Sequence, residues 1–317
     1  MFPLIHEILS DDKNDFTVTE LCLFCGVSRS GYYNWLKAEK KRLEREKQDE
    51  KDFELILRAY KKGGFHKGSR RIQMTLAHDN IRMNRKKIQR LMRKFNLDCP
   101  IRKANPYRQM AKATKESTVK PNLLNRQFEK HGPRKVLLTD ITYIPIPGTG
   151  KFAYLSTILD AFTKEILAYR ISDNLKIDFV LDTVRDLVEN HQIELSAETM
   201  IHSDQGSHYT SEKFIDIVTK AKLRQSMSRR GNCWANAPQE SFFGHMKDEI
   251  SDELARCSQF EEIKALVDRW IAYYNNDRYQ MKLAKLAPKE FFEYVTTGVY
   301  PLQSKADSAD NANEYCV

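Results

Sequence analysis

The chain has 317 residues, of which 41% are hydrophobic and 30% are charged, and it carries a formal net charge of +9 at pH 7. Its apolar runs are too short to span a bilayer, and its first residues lack the basic start and small-residue cleavage site of a signal peptide, which argues against membrane and secreted proteins. We expect a cytoplasmic globular protein of two or three domains with no membrane partner. The six cysteines show no framework spacing, which fits a reducing compartment.

The positive charge is concentrated in one part of the chain. Residues 61–135 contain 22 Lys and Arg against four Asp and Glu, a net charge of +18, whereas the rest of the chain is net −9. A basic block on an acidic body indicates a polyanion partner, most simply nucleic acid, because neutralised phosphates supply most sequence-independent affinity. Judged from charge alone, a solvated basic surface is an equally good explanation.

Residues 1–60 are predicted to contain a helix-turn-helix and a charged connecting helix. The first helix repeats apolar residues at helical spacing, Gly26 ends it, and Ser28 can cap the second helix. The repeat consists of Leu21, Phe24 and Cys25. Because the second helix of such a unit starts against base edges, its first residues are candidate DNA contacts. These are Ser28, Arg29 and Ser30. Residues 39–54 are almost all charged, which predicts a solvated helix.

A second and more basic helix-turn-helix is predicted over residues 61–97. Ile72 and Leu76 lie four residues apart on its first helix, and Asn84 can cap a second helix that is apolar on one side and rich in Lys and Arg elsewhere. Such a helix lies along phosphates or on a membrane surface, and the presence of two tandem units favours DNA. The candidate DNA contacts are Arg70, Arg71, Arg85, Lys86, Lys87 and Arg90.

A linker and then an α/β domain follow. Residues 98–135 contain four prolines, many basic residues and little periodicity, which predicts the linker. Residues 136–300 begin with three successive strands, of which the first two form a hairpin, and continue with a helix, a strand, a helix, a short strand and another helix. The order βββαβαβα predicts a ribonuclease-H-like layer, a mixed five-stranded sheet covered by helices. Residues 301–317 are polar and are predicted to be a disordered tail.

Three carboxylates stand where a purely structural role explains them poorly. Asp140 lies in the apolar first strand, Asp204 ends the fourth strand, and Glu240 lies on the helix after the fifth. Because the first and fourth strands are expected to be neighbours, the three acids converge in this fold, and a cation would offset their repulsion. Oxygen ligands favour Mg²⁺ or Mn²⁺, and such a site can hold two ions for phosphoryl transfer on DNA.

The surroundings of the acids suggest further roles. Lys247 lies two helical turns after Glu240 on the same face and is a candidate phosphate contact. His202 and His208 flank Asp204 and are expected to shape the site or contact DNA. Each acid alone also has a simpler explanation, because Glu240 suits a helix start, Asp204 suits a turn and Asp140 can pair with a basic side chain.

The motifs that contain these residues resemble those of a known family. They are Gly68-Ser-Arg-Arg-Ile72, Thr139-Asp-Ile-Thr142, His202-Ser-Asp-Gln-Gly206, Ser228-Arg-Arg-Gly-Asn-Cys233, Asn236-Ala-Pro-Gln-Glu-Ser-Phe-Phe243, and Tyr273-Tyr-Asn-Asn276 with Arg278. The chain resembles the catalytic-subunit (OrfB) transposases of the third family of bacterial insertion sequences, relatives of retroviral integrases. The resemblance implies that Asp140, Asp204 and Glu240 are the metal-binding Asp-Asp-Glu (DDE) triad, with 35 residues between the last two. Leu137 and Ala235 depart from the pattern, since members often have Trp and Asp there.

The resemblance implies a magnesium-dependent DNA transposase. Such an enzyme binds the terminal inverted repeats of its element, cleaves there and joins the freed 3′-OH to target DNA. We expect double-stranded DNA as the partner at both element ends and target, a homo-oligomer on DNA, a nucleoid-associated bacterial enzyme and, as often in the family, a short companion protein from an upstream frame. Two alternatives stay open, a catalytically inactive DNA-binding repressor derived from a transposase and a ribonuclease-H-type nuclease acting on hybrids.

Overall fold

The computed structural model describes residues 1–11, 14–100, 131–191, 194–227 and 237–302, which form a helical N-terminal part and an α/β layer. The N-terminal helices are α1 (Phe2–Leu9), α2 (Val18–Phe24), α3 (Arg29–Lys37), α4 (Glu39–Lys61), α5 (Ser69–His78) and α6 (Arg85–Lys94), with a 3₁₀ turn at Lys62–Gly64. The α/β layer contains β1 (Val136–Pro145), β2 (Phe152–Asp160), β3 (Ile166–Ser172), α7 (Asp178–His191), β4 (Met200–Ser203), α8 (Glu212–Lys220), β5 (Arg224–Met227), α9 (Ala237–Leu254), α10 (Phe260–Asn276), a 3₁₀ turn at Met281–Leu283 and α11 (Pro288–Thr297).

The first predicted helix-turn-helix is present as α2 and α3. Thr17 and Glu20 form a reciprocal capping box at the start of α2, and the Ser28 hydroxyl accepts the Gly31 N–H at 3.1 Å, as its predicted capping role requires. The apolar repeat of α2 does not form a single buried face, because the Phe24 ring is 91% exposed. Helix α2 instead buries Leu21 and Cys22 against its neighbours, and this leaves Phe24 directed to solvent.

The second helix-turn-helix packs on α4 to form a three-helix unit. Ile56 of α4, Ile72 of α5 and Ile88 of α6 are fully buried in one apolar cluster, and Asn84 caps α6 through the Lys86 N–H at 2.8 Å. The expectation of a solvated helix over 39–54 is corrected in part. Helix α4 runs to Lys61, and its Asp49 and Asp52 are buried because basic residues of α6 cover them.

The sheet has the predicted five strands in the order β3-β2-β1-β4-β5. The first three strands pair antiparallel, whereas β4 pairs parallel with both β1 and β5. Strand β1 is therefore central, with β4 beside it as predicted. This is the ribonuclease-H-like layer that the order of the elements predicts, and the parallel pairing sets Leu138 of β1 opposite His202, near the end of β4.

Helices cover both faces of the sheet because adjacent residues of β1 point to opposite sides. Leu138 packs into one cluster with Phe242 and Met246 of α9 and Trp270 of α10. Leu137 packs into the other cluster with side chains of α7 and α8. Helix α9 is therefore fixed on the central strand by its apolar face.

The second helix-turn-helix is docked on the helical side of the core. The Phe65 ring lies 4.9 Å from the Tyr273 ring, and the His78 ring stacks on Tyr279 at 3.6 Å between centroids. Met74 of α5 forms a small apolar cluster with Tyr279 and Ala287. The predicted basic unit and the predicted core thus share a packed interface.

Several expectations concern residues outside the described ranges. These are most of the linker, the motif at 228–233, Ala235, Asn236 and most of the tail, and the predicted domain boundaries stay predictions. Within the described residues, no helix has both the length and the apolar composition needed to cross a bilayer.

Candidate active site

Asp140 occupies the middle of β1, where it is partly buried. It stands opposite Thr157 in the antiparallel pair, and its Oδ1 accepts the Ile141 N–H at 2.8 Å. Burial is the main cause that raises the pKa of Asp140 to about 6, the nearby carboxylates Asp204 and Glu240 contribute less to this rise, and the Ile141 N–H and Lys247 oppose it. Asp140 is therefore close enough to Asp204, Glu240 and Lys247 for their charges to influence its pKa.

Asp204 follows β4 directly and lies beside Asp140. The parallel pairing sets Leu138 opposite His202, so the two aspartates, each two residues further on, lie at the same level, Asp140 within β1 and Asp204 just past the end of β4. Asp204 is exposed, and its Oδ1 accepts the Gly206 N–H at 2.9 Å. This hydrogen bond fixes the carboxylate at the carboxyl end of the strand.

Glu240 is brought to this edge by the first turn of α9, where it is exposed. The preceding residue, Gln239, is fully buried and donates from its side-chain amide to the Thr157 hydroxyl, directly across the ladder from Asp140. The contact anchors the start of α9 on the sheet. Sequence reasoning missed Gln239, although its helical spacing from Phe243 and Met246 marks it as part of the buried face.

The donor set fits a hard divalent cation. The three side chains offer carboxylate oxygens alone, which are the ligands that Mg²⁺ and Mn²⁺ prefer. Within the described ranges, no three His, Cys, Asp or Glu side chains stand close enough to form a ready-made metal site. A bound cation would offset the repulsion between Asp140 and its neighbours Asp204 and Glu240.

The two flanking histidines make contacts that connect neighbouring parts of the α/β layer. His202 is buried, and its Nδ1 lies 3.0 Å from the Ser226 hydroxyl on β5, while burial lowers its pKa. His208 places Nε2 at 2.9 Å from the Leu175 carbonyl. These contacts hold β4, β5 and the loop after β3 together, so they shape the site.

Comparison with known proteins decides the family. Two integrase core domain families match residues 130–233 and 221–288, and the HTH-like domain family matches residues 47–105. The Insertion element IS600 uncharacterized 31 kDa protein of Shigella sonnei is 31% identical over 86% of this chain and 97% of its own. The putative transposase InsK for insertion sequence element IS150 of Escherichia coli (strain K12) is 30% identical over 90% of this chain and 96% of its own.

The chain belongs to the insertion-sequence transposase family. The resemblance predicted from the motifs is confirmed, and so is the enzyme class, a DDE polynucleotidyl transferase that acts in DNA transposition. Among solved structures, the HTLV-2 integrase catalytic core domain in complex with magnesium is similar, with 12% identity, a TM-score of 0.39 and coverage of 50% of this chain and 97% of that chain.

In the transposase, Lys247 of α9 is half-buried near Asp140. Burial lowers its pKa, and the Asp140 carboxylate opposes that change. The structure therefore places the predicted phosphate contact on the same side of α9 as the acids.

Helix α6 of the transposase has an exposed basic face and an ion-paired one. Lys87 Nζ lies 2.5 Å from Asp52, and Arg90 makes two hydrogen bonds of 2.7 Å to Asp49, so two of the predicted DNA contacts are paired with α4. Burial raises the pKa of Asp49 less than the Arg90 hydrogen bonds lower it, and the net pKa is lowered. Arg85, Lys86 and Arg93 are exposed and lie outside these ion pairs, and Arg93 was missing from the predicted set, whereas Arg90 is both ion-paired and 52% exposed.

The structure corrects the predicted role of Arg71. Its guanidinium is directed into the protein, 2.7 Å from the Glu249 carboxylate of α9, and its side chain is only 18% exposed. A direct phosphate contact by Arg71 does not fit this position. Its neighbour Arg70 is exposed, as are the predicted contacts at the start of α3, which are Ser28, Arg29 and Ser30.

Gly206 is required for the position of Asp204, which gives a first prediction. A Cβ at residue 206 would lie 2.9 Å from Asp204 Oδ1, closer than side-chain atoms normally approach. We expect Gly206→Ala to displace the carboxylate and reduce strand cleavage by about tenfold or more, because small misplacements of a catalytic group cost about this much. Cleavage rates of the purified variants measure this. Gly244→Ala, where a Cβ meets nothing within 4 Å, is the control, and equal rates for Gly206→Ala and wild type would contradict the prediction.

Lys86 and Lys87 offer a matched test of the two faces of α6. We expect Lys86→Gln to reduce the slope of log affinity for DNA against log salt by about 0.9, since one phosphate contact is lost, and to leave the melting temperature unchanged. Lys87→Gln is expected to lower the melting temperature, because it removes the partner of buried Asp52, and to change the salt slope less. Fluorescence anisotropy over a salt series and thermal melts measure both effects, and identical behaviour of the two variants would refute the assignment.

Proposed function

We propose that Asp140, Asp204 and Glu240 form the catalytic metal site with which the transposase cleaves DNA at the ends of its element and joins the freed 3′-OH to target DNA. The observation that carries the proposal is the placement of the three carboxylates, because β1 and β4 are parallel neighbours and Gln239 anchors the first turn of α9 on Thr157, opposite Asp140. The raised pKa of Asp140, to which burial contributes most and the other two carboxylates contribute less, agrees with this placement.

The carboxylates would hold Mg²⁺ or Mn²⁺, in our proposal two ions. When bound, such ions supply an activated water or hydroxyl and stabilise the leaving 3′ oxygen. Gln239 holds the first turn of α9 on β2, so Glu240 keeps its place beside the two aspartates. Gly206 orients the Asp204 carboxylate, and Lys247 is placed to pair with a backbone phosphate of the bound strand.

The DNA contacts are proposed on two helical units. On the second unit, the exposed face of α6 is suited to double-stranded DNA, and Arg70 extends that surface. Lys87 and Arg90 add positive charge at its border, although they are ion-paired with α4. On the first unit, Ser28, Arg29 and Ser30 stand exposed at the start of α3, the position from which helix-turn-helix proteins contact bases.

The assembly is part of the proposal. Because an element has two ends that are cut and joined to one target, we propose that the transposase acts as a homo-oligomer on DNA. A companion protein from an upstream frame and association with the nucleoid of the bacterial cytoplasm are proposed on the family resemblance alone.

The decisive experiment is strand cleavage by the purified full chain. The substrate is a duplex carrying the paired inverted repeats identified by sequencing the DNA that flanks the coding region. With Mg²⁺, the wild type is expected to cut at the repeat end, whereas Asp204→Asn is expected not to. Asp216→Asn, which removes an exposed acid on α8, is the control. Cleavage by Asp204→Asn at the wild-type rate would refute the proposal.

The same assay separates the alternatives. A repressor derived from a transposase would bind the repeats without metal and nick nothing. A ribonuclease-H-type nuclease would cut an RNA–DNA hybrid in preference to the duplex. Two helix-turn-helix units in tandem favour the duplex, because such units read double-stranded DNA.

A further inference from the structure

Two of the carboxylates of helix α9 have opposite surroundings. Glu240 is exposed at the proposed metal site, whereas Glu249 is 5% exposed. Their separation of nine positions corresponds to two and a half turns and roughly 13 Å along the axis, so the two side chains leave the helix on opposite faces. Glu249 therefore faces away from the catalytic edge, toward α5 and α10.

Glu249 joins three separate parts of the chain. Its carboxylate lies 2.7 Å from Arg71 Nη2 on α5 and 2.8 Å from Arg278 Nη2 after α10, and it accepts the Trp270 indole N–H at 3.3 Å. The side chains of Glu249 and Arg278 are 0% and 6% exposed. Charge-assisted hydrogen bonds in this environment have a defined geometry and are costly to break.

The contact to α5 is a link to the DNA-binding unit. Helix α5 holds α6 through the buried cluster of Ile72, Leu76 and Ile88, and α6 carries the exposed basic face. On the other side, Phe242 and Met246 fix α9 on the central strand β1. The chain of contacts is therefore continuous from the proposed DNA-binding face to the helix that carries Glu240.

We propose that Arg71 and Glu249 are positioning residues that set the distance between the bound element end and the catalytic carboxylates, and so determine which phosphodiester bond is cut. This inference rests on the proposed function, since it takes Glu240 as part of the catalytic site. Neither residue touches DNA or the reacting atoms. They act by holding α5 against α9 in one orientation.

Arg71→Gln is the sharpest test, because it removes the α5 contact while Glu249 keeps Arg278 and Trp270. The assay resolves cut positions on the inverted-repeat duplex to the nucleotide, with binding and thermal melting measured in parallel. We expect the duplex affinity to stay within about threefold and the salt slope to stay unchanged. The cuts are expected to spread over neighbouring phosphates, with at least a tenfold loss at the wild-type position.

The matched control is Glu165→Gln, in a second buried network that does not involve α5 or α9. Arg134 there lies 2.8 Å from Glu165 and also pairs with Asp160 and Glu194. Glu165→Gln is expected to cut at the wild-type position. Arg71→Lys restores the charge without the planar guanidinium and is expected to cut with intermediate precision, and it replaces Arg71→Gln as the test if that variant does not fold.

Three outcomes would overturn the inference. The first is a single wild-type cut position in Arg71→Gln at the wild-type rate. The second is a salt slope reduced by about one with the cut position unchanged, which would make Arg71 a phosphate contact. The third is an equal spread of cuts in Glu165→Gln. That result would show that the spread in Arg71→Gln comes from a general loss of core rigidity and not from the contact between α5 and α9.

A binding measurement keeps this inference separable from the proposed function. Single-molecule energy transfer between a dye at the duplex end and a dye at exposed Lys213 of α8 needs no cleavage. We expect a narrow distance distribution for wild type and Glu165→Gln and a broad one for Arg71→Gln. Equal widths for all three would overturn the inference even if cleavage proceeds as proposed. Cleavage by Asp204→Asn together with a broad distribution in Arg71→Gln alone would overturn the proposed catalytic site but leave the positioning of the duplex by Arg71 and Glu249 standing.

Discussion

Asp140→Asn is expected to lower the rate of strand cleavage by about a thousandfold or more and, in the same protein, to raise the melting temperature. The loss of rate follows because a bound divalent ion contributes several kcal/mol to the transition state, and each 1.36 kcal/mol is a factor of ten. The gain in stability follows because the fold disfavours the ionised form of Asp140, whose pKa is raised to about 6. Asn keeps an oxygen that can accept the Ile141 N–H but carries no charge.

The sign of the stability effect depends on pH. A carboxyl with a raised pKa in the folded state binds its proton more tightly there than in the unfolded chain, so its destabilising effect develops between about pH 4 and pH 6 and is complete above that. We expect Asp140→Asn to gain about 1–3 kcal/mol at pH 8 and almost nothing near pH 4. Thermal melts with a chelator at the two pH values measure this, and a lower melting temperature of the variant at pH 8 would contradict it.

Glu249→Gln is expected to destabilise the transposase by about 3–5 kcal/mol, since it leaves the buried charges of Arg71 and Arg278 without a carboxylate. Burial alone would raise the pKa of Glu249, but Arg278 and Arg71 outweigh it and hold the pKa at about 2. A pKa lowered by this amount corresponds to roughly 3 kcal/mol, which agrees with the expected loss. This stabilisation is present above about pH 4.5 and is lost as the pH falls through about 2.

The measurement is urea unfolding at pH 7 of Glu249→Gln beside Glu165→Gln. The second variant is expected to lose clearly less stability, because Arg134 keeps Asp160 at 3.3 Å and Glu194 at 2.6 Å when Glu165 is neutralised. Because both variants place a carboxamide at a buried position, the difference between their free energies of unfolding excludes the destabilisation that any buried carboxamide causes. Equal losses in the two variants would show that Glu249 has no special role in compensating two guanidinium groups.

The sheet and the placement of the three proposed metal ligands were predictable from sequence for a physical reason. Strands and amphipathic helices leave periodic apolar patterns, and the order of those elements defines which strands are neighbours. Asp140 and Asp204 interrupt such patterns at positions that the topology brings to one edge. Their position follows from the order of the strands, so no long-range side-chain contact had to be known in advance.

The docking of the DNA-binding unit was not predictable in the same way. Arg71 and Glu249 are 178 residues apart, and their pairing leaves no periodic trace in either helix. For the same reason Arg71 was assigned to DNA, as were Lys87 and Arg90, which face acids of α4. Charge patterns show that a helix is basic, but which of its faces is already neutralised depends on the helix that packs beside it.

The most direct test of the shared metal site is Mn²⁺ binding to the purified full chain, followed by electron paramagnetic resonance. Wild type and the surface control Asp216→Asn are expected to bind Mn²⁺ with the same affinity. Asp140→Asn, Asp204→Asn and Glu240→Gln are each expected to weaken that binding by at least about tenfold, because each removes one charged oxygen ligand from a common site. Wild-type Mn²⁺ affinity in any one of the three variants would contradict a site shared by Asp140, Asp204 and Glu240.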